Sequence, residues 1–165
     1  DIGKERIRRV IEHFSANSEL KLEADLRDTP ENMGFRVFKL SSSHFTNWSG
    51  TASATPADYH RQLEAFTDPL TQQHDAEAVI WEVAIKEGYS LTSRVEAVAV
   101  AGHVVYRVGD PDRGQHFHIC LDDEVAPALA AALGLDKEDL FVCRDLALDD
   151  SAAANLALQC RLKTI

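Results

Sequence analysis

The sequence predicts an α/β protein whose central mixed sheet includes a β-hairpin and is flanked by helices, with a mixed α+β arrangement as the alternative. Its 165 residues, of which 45% are hydrophobic and 27% charged, have the size and composition of one globular core. Strand-like and helix-like segments alternate through the second half, which favours a layered sheet. Val95–Val100, Ala101-Gly102 and His103–Val108 together predict the hairpin and its tight turn.

The first part of the chain predicts a helix, a connection and a strand. Apolar residues at i, i+3, i+4 and i+7 indicate an amphipathic helix: Ile7, Val10, Ile11 and Phe14. We therefore assign residues 1–33 to a helix and a connection, and residues 34–165 to a C-terminal α/β domain. Phe35–Leu40 predicts a strand covered on both faces, because it contains aromatic and β-branched residues and both alternating sets are apolar.

Capping residues predict two further helices ahead of the hairpin. Thr55 supplies a capping hydroxyl and Pro56 suits the first helical position, while Asp68-Pro69 ends the helix because a residue before proline is disfavoured there. Asp75 caps the next helix, and Gly88 is placed to stop it.

The remaining segments complete the alternation of strands and helices. His116–Leu121 predicts a strand, after which Asp122-Asp123-Glu124 is interpreted as the acidic start of an alanine-rich helix. Leu140–Cys143 predicts the final strand, and Ser151–Leu162 predicts the final helix.

The charge balance argues against broad nucleic-acid binding by this chain alone. The formal net charge of −10 repels phosphate at long range. The basic residues near the start are interleaved with Glu5 and Glu12, so we interpret them as a solvated helix face: Lys4, Arg6, Arg8 and Arg9. No apolar run approaches the roughly 20 residues of a membrane helix, and no signal peptide opens the chain. Because the chain begins at Asp1 without Met, we expect an excised fragment of a cytoplasmic protein with no membrane contact.

The cysteines and histidines predict a reduced protein without a metal. The three cysteines have no framework or metal spacing and fall partly in apolar runs: Cys120, Cys143 and Cys160. His116 and His118 share one strand face, with His103 nearby in sequence, but no cysteine or carboxylate joins them at a recognised zinc spacing. We expect these histidines to face solvent.

Several segments, in order along the chain, resemble the C-terminal part of the modification subunit of type III restriction-modification systems. That subunit is an adenine-specific DNA methyltransferase. The matching segments are Ile2–Ile11, Gly34–Leu40 with Trp48, Trp81-Glu82-Val83 to Leu91-Thr92, Cys143-Arg144-Asp145, Asp149-Asp150 and Asn155. The chain departs from the family at Val104–His118, where the family usually has a shorter glycine-rich hairpin.

The resemblance implies a parent protein that transfers a methyl group from S-adenosylmethionine to the N6 atom of adenine. It also implies a dimer of modification subunits that works with an ATP-dependent restriction subunit. A C-terminal domain would then serve dimerisation, subunit docking or support of the DNA-recognition region. Its partners would be the rest of its own subunit, a second modification subunit and the restriction subunit, with DNA reached only through the parent assembly.

The motifs that such chemistry needs do not occur in this sequence. An Asp-Pro-Pro-Tyr type turn holds the target amine and stacks on the extruded base, and a glycine-rich turn approaches the cofactor. Asp68-Pro69 is followed by Leu70, Asp110-Pro111 is followed by Asp112, and no Phe-x-Gly-x-Gly occurs. We therefore predict no catalytic residue and no cofactor site in this chain, and expect both motifs upstream in the reading frame.

Four residues are the candidates for interaction with a partner. Trp48 in its polar loop either stacks on a partner or folds back over the sheet, and Val105 lies in the predicted hairpin, which we expect to carry an unpaired edge. Arg144 and Asp145 end a strand where open α/β sheets place ligands.

A local role for Arg144 and Asp145, as an ion pair beside a helix that Asp149 or Asp150 caps, is the favoured alternative. Two other functions stay open. One is a stand-alone α/β enzyme that uses Arg144, Asp145 and a histidine, and the other is a ligand-binding regulatory module.

Overall fold

One five-stranded mixed sheet organises the larger part of the protein. The strands are β1 Arg94–Val100, β2 His103–Asp110, β3 Gln115–Cys120, β4 Leu140–Cys143 and β5 Arg161–Thr164. They lie in the sheet in the same order as in the chain. The first three strands are antiparallel, whereas β3, β4 and β5 run parallel. The predicted mixed sheet with a hairpin is confirmed.

The computed structural model describes residues 2–16, 35–46 and 55–165. The chain divides into two units, residues 1–41 and residues 42–165. In the first unit, α1 spans Ile2–Ala16 and confirms the predicted amphipathic helix. None of the described helices is long and apolar enough to cross a bilayer.

Helices cover both faces of the sheet in the second unit. The helices α2 Pro56–Ala65 and α3 Ala76–Lys86 precede the sheet, and α3 packs on one face against β2, β3 and β4. The parallel crossovers carry α4 Leu129–Leu133, a 3₁₀ turn Asp145–Ala147 and α5 Asp150–Gln159. Both α4 and α5 pack on the other face, so two separate apolar layers enclose β3 and β4.

Local hydrogen bonds explain why the predicted caps and turn form. The Asp75 carboxylate accepts the amide of Ala78 at 2.8 Å, and Asp149 accepts the amide of Ala152 at 2.7 Å. Ala101 and Gly102 join β1 to β2 with φ angles of 52° and 86°, the left-handed conformation that a tight hairpin turn requires.

The predicted strand at Phe35–Leu40 is wrong. These residues are in extended or irregular backbone, and all five strands of the described sheet come from residues 94–164. Val37 and Leu40 are exposed rather than covered. β-branched and aromatic content describes a side chain that fits a pleated surface, but it does not supply the neighbouring strand.

The predicted alanine-rich helix is much shorter than expected, and the acids ahead of it do not start it. The helix α4 begins at Leu129, two residues after Pro127, which has no amide proton. The amide of Val125 donates to the Ala147 carbonyl instead, at 3.0 Å. Tertiary hydrogen bonds therefore hold this segment in an irregular conformation.

The predicted final helix ends earlier than expected, and its last residues form β5. The helix α5 ends at Gln159, and Cys160 is already extended. The amide of Arg161 donates to the Asp139 carbonyl at 2.9 Å, which starts the parallel pairing with β4.

Candidate functional site

Several polar side chains meet at the carboxyl ends of the parallel strands β3 and β4, and one of them, Arg144, is buried. Cys120 and Cys143 are directly opposite each other at these ends. The residues that follow them, Asp122 and Asp123 after β3 and Arg144 after β4, therefore reach the same edge of the sheet. Open α/β sheets place their ligands at this edge.

Arg144 links three segments at this edge. Its side chain is only 10% exposed, and Nη2 lies 2.7 Å from the Asp68 carboxylate. Nη1 donates to the Asp123 carboxylate. The Nε atom has no hydrogen-bond partner among the described residues. The guanidinium charge is balanced by these carboxylates, and removal of both would leave an uncompensated buried charge.

Asp145 does not pair with Arg144. Its side chain is exposed, and its backbone amide donates to the Ile165 carbonyl at 2.9 Å. The ion pairs of Arg144 come from Asp68 and Asp123, two partners that sequence reasoning did not find.

His103 is held by hydrogen bonds at both ring nitrogens. Nδ1 lies 2.8 Å from the Asp122 carboxylate, and Nε2 lies 3.3 Å from the amide of Ala126, which donates to it. Because an amide can only donate, Nε2 must accept, and the neutral ring carries its proton on Nδ1. The ring thereby ties the start of β2 to the connection between β3 and α4.

Cys120 joins His103 and Asp122 in the group of described residues whose donor atoms converge, all within 4.8 Å of one another. Burial and the neighbouring Asp122 carboxylate raise the pKa of Cys120 to about 11, so its thiol stays protonated near neutral pH. Both nitrogens of His103 are already engaged, so the ring cannot take the thiol proton without losing a hydrogen bond. The hydrogen bonds of His103 make this cluster a structural contact between β2 and the segment after β3, and the protonated thiol is not arranged as a nucleophile activated by its base.

His116 and His118 share one face of β3 as predicted, with their rings edge to face and 5.4 Å apart. His116 Nε2 lies 3.6 Å from the Asp139 carboxylate. His118 is buried, which corrects the expectation that it faces solvent. Burial first, then the charges of His116 and Arg107, lower the pKa of His118. His103 lies about 13 Å away along β2, so the three histidines do not form one set.

The two remaining interaction candidates are Val105, which is buried, and Trp48, which lies outside the described residues. Val105 is fully buried beneath α4, and the exposed valines of the hairpin are Val98 and Val104. Phe45, the described neighbour of Trp48, packs on the core, with the Lys86 ammonium 3.8 Å from the centre of its ring.

Asp110 is a buried carboxylate that the sequence did not single out. Burial alone would raise its pKa, but hydrogen bonds from Ser90 and from the amides of Asp112 and Arg113 lower the pKa on balance. The turn sequence Asp-Pro-Asp-Arg-Gly carries the signal, because an aspartate at the start of a turn accepts amides two and three residues later. Its role is to hold two loops together.

The three cysteines are free and buried. Burial raises the pKa of Cys143 to about 12, and it also raises the pKa of Cys160. These thiols are therefore protonated near neutral pH, and none is in the ionised form that attacks an electrophile.

No family model, curated protein or solved structure matches this chain.

Proposed function

We propose that this chain is a non-catalytic C-terminal part of a type III DNA modification methyltransferase, where it serves dimerisation or subunit docking. The ordered resemblance along the sequence supports the family, and one structural observation supports the docking role. That observation is the first strand of the sheet, which is exposed along most of its length.

The strand β1 has the composition of a surface that a partner covers. Five of its seven residues are exposed, and β2 is the strand that pairs with it among the described residues. Apart from Arg94 and Glu96, it consists of valine and alanine. Exposed edge strands normally carry lysine, proline or a bulge that prevents pairing with other chains. β1 has no lysine, proline or bulge along Val95–Val100, and its two charged residues, Arg94 and Glu96, are confined to its first half.

The hairpin presents apolar area beyond the backbone edge. Val98 is 41% exposed and Val104 is 46% exposed, and they lie on opposite faces near the turn. Burial of several hundred Å² of such surface stabilises a complex by several kcal/mol at about 25 cal/mol per Å², before the costs of association. A second copy of the chain, or another part of the parent assembly, would gain this energy.

The polar cluster at the carboxyl ends of β3 and β4 favours this proposal over a stand-alone enzyme. Arg144 is neutralised by two carboxylates, and both His103 nitrogens are engaged. Cys120 is a protonated, buried thiol. These groups hold segments together, and none is free to bind a substrate without breaking an existing contact.

The docking role is tested by a charge placed on the exposed edge. We expect Val98→Lys to reduce self-association, or binding to the remainder of the modification subunit and its restriction partner, by about tenfold or more. Leu63→Lys, at an exposed position of α2, is the matched control and should bind like wild type. Light scattering and pull-downs measure both. Unchanged association of a folded Val98→Lys variant in every assay would move the interface away from β1.

The non-catalytic role has a separate test. The isolated chain should bind no S-adenosylmethionine in a calorimetric titration, because the sequence has neither the cofactor turn nor the amine-binding turn. Micromolar cofactor binding, or methyl transfer to adenine by this chain alone, would contradict the proposal.

A further inference from the structure

A second surface, at the opposite end of the sheet from β1, is a groove between the end of α5, β5 and the segment before β4. Its volume is about 510 Å³. The lining residues are Lys137, Ala157, Leu158, Cys160, Arg161 and Leu162. Their side chains combine an apolar surface with two cations.

The apolar part of the groove includes a large aliphatic side chain, that of Leu158, most of which is exposed to solvent. Leu158 is 72% exposed on a helix whose other outward residues include the small Ala154 and Ala157. Its neighbour Leu156 is fully buried and holds α5 on the sheet. Leu158 therefore adds nothing to the core, and its aliphatic surface is available to another molecule.

The charge of the groove is opposite to that of the protein. The chain has 27 acidic and 17 basic residues, yet this lining contains Lys137 and Arg161 and no carboxylate. Neither cation has a salt-bridge partner in the part of the chain that the structure describes. The nearby Glu138 and Asp139 line a neighbouring groove that Arg161 also borders. Lys137 lines this groove and not the neighbouring one.

We infer that this groove binds an acidic, aliphatic peptide segment of a partner protein. An aliphatic side chain of the segment covers Leu158 and Ala157, and flanking carboxylates contact Lys137 and Arg161. Exposed ion pairs contribute little by themselves, so the aliphatic contact supplies most of the affinity and the cations select the partner.

The charge preference is tested on the intact chain with two fluorescein-labelled peptides of equal length, one alternating Glu and Leu and the other alternating Lys and Leu. Fluorescence polarisation measures binding near neutral pH. The comparison is made at about 0.15 M NaCl, where a Debye length of about 8 Å screens the net charge of −10 more than it screens direct contacts with Lys137 and Arg161. We expect the Glu–Leu peptide to bind about tenfold more tightly there, with a smaller preference at about 0.5 M NaCl because salt screens exposed charges.

Matched variants locate the binding surface. Lys137→Glu and Leu158→Asn should each weaken binding of the Glu–Leu peptide by about fivefold to tenfold. Leu63→Asn makes the same apolar-to-polar change on an exposed position of α2, and Arg61→Glu reverses a charge there, at a residue that is ion-paired with Asp58. Both should leave the affinity within about twofold of wild type. Val98→Lys should also bind the peptide like wild type, so that failure of the β1 interface and failure of the groove are distinguishable.

Three results would overturn the inference. The first is equal binding of the two peptides. The second is wild-type affinity in folded Lys137→Glu and Leu158→Asn variants, as judged by circular dichroism. The third is self-association of the wild type that Leu158→Asn abolishes and the peptide competes away, because the occupant would then be a second copy of this chain.

Discussion

The two edge strands of the sheet are both exposed, but they differ in chemistry. The strand β1 carries one cation and one anion, Arg94 and Glu96, and is otherwise valine and alanine. The strand β5 carries Arg161 and Lys163 with only one aliphatic side chain, and three of its four residues are exposed. Lys163 pairs with Glu87 at the end of α3, whereas Arg161 borders the groove beside α5.

If both proposals hold, the two edges of one sheet select their partners by different interactions. Apolar area on β1 gains energy from burial, which salt screens very little. In the proposed groove, the cations beside β5 would attract carboxylates at short range, and salt would weaken that attraction. Under both proposals, the partner of β1 is selected by burial of apolar area and the partner near β5 by charge.

The largest change in folding stability is expected on β2, the strand next to β1, where an exposed valine is followed by a buried one. Val105→Lys should destabilise the fold by about 4 kcal/mol or more, because it puts an unpaired charge into a packed core. Val104→Lys, one residue earlier on an exposed position, should cost about 0.5 kcal/mol or less. Urea denaturation measures both, and equal midpoints for the two variants would contradict this burial pattern.

A smaller loss of folding stability is expected for a change in α5, the helix that precedes β5. Leu156→Ala should reduce the free energy of unfolding by about 2–5 kcal/mol, because a fully buried leucine leaves a cavity between α5 and the sheet. Leu158→Ala on the same helix is the control and should change stability very little. A Leu156→Ala variant as stable as its control would show that α5 does not depend on this contact.

Asp110, at the end of β2, makes the β1 side of the sheet sensitive to acid. Its folded-state pKa is below the ordinary value of 3.8, so its stabilising contribution is present above that pH and is lost as the pH falls through the folded-state pKa. Asp110→Asn should therefore be less stable than wild type near neutral pH, and the difference should shrink below about pH 3.8. Denaturation at a series of pH values tests this, and a constant difference down to the lowest pH would contradict it.

The parts of the fold that could be predicted are those with local causes. The β1–β2 hairpin depends on Ala101-Gly102, and the start of α3 depends on Asp75, which caps an amide three residues later. The strand β5 has no such signal, because Arg161–Thr164 is extended only by its pairing with β4 and by the Asp139 carbonyl. Helical periodicity therefore predicts a helix that continues to Leu162, whereas α5 ends at Gln159.

The candidate site was harder to predict for the same reason. The sequence identifies Arg144 as a polar residue at the end of a strand. It does not identify its partners Asp123 and Asp68, which are 21 and 76 residues away. Proximity in sequence groups His103 with His116 and His118, but its contacts are Asp122 and Ala126, which follow β3. Sequence spacing shows which residue types are present, and only the packing of the strands shows which of them meet.

The smallest expected effect tests whether the two edges are independent. β1 and β5 are separated by the width of the sheet, four strand spacings or about 19 Å, and changes more than about 10 Å apart with no shared contacts usually add. The double variant Val98→Lys, Leu158→Asn should therefore lose stability equal to the sum of the single variants, within about 0.5 kcal/mol. It should also lose both association through β1 and binding of the Glu–Leu peptide, each to the same extent as the single variant. A double-mutant cycle by urea denaturation and polarisation measures the coupling. Coupling well above that limit would mean that a shift at one edge passes through β2, β3 and β4 to the other, and the two surfaces would then be parts of a single site.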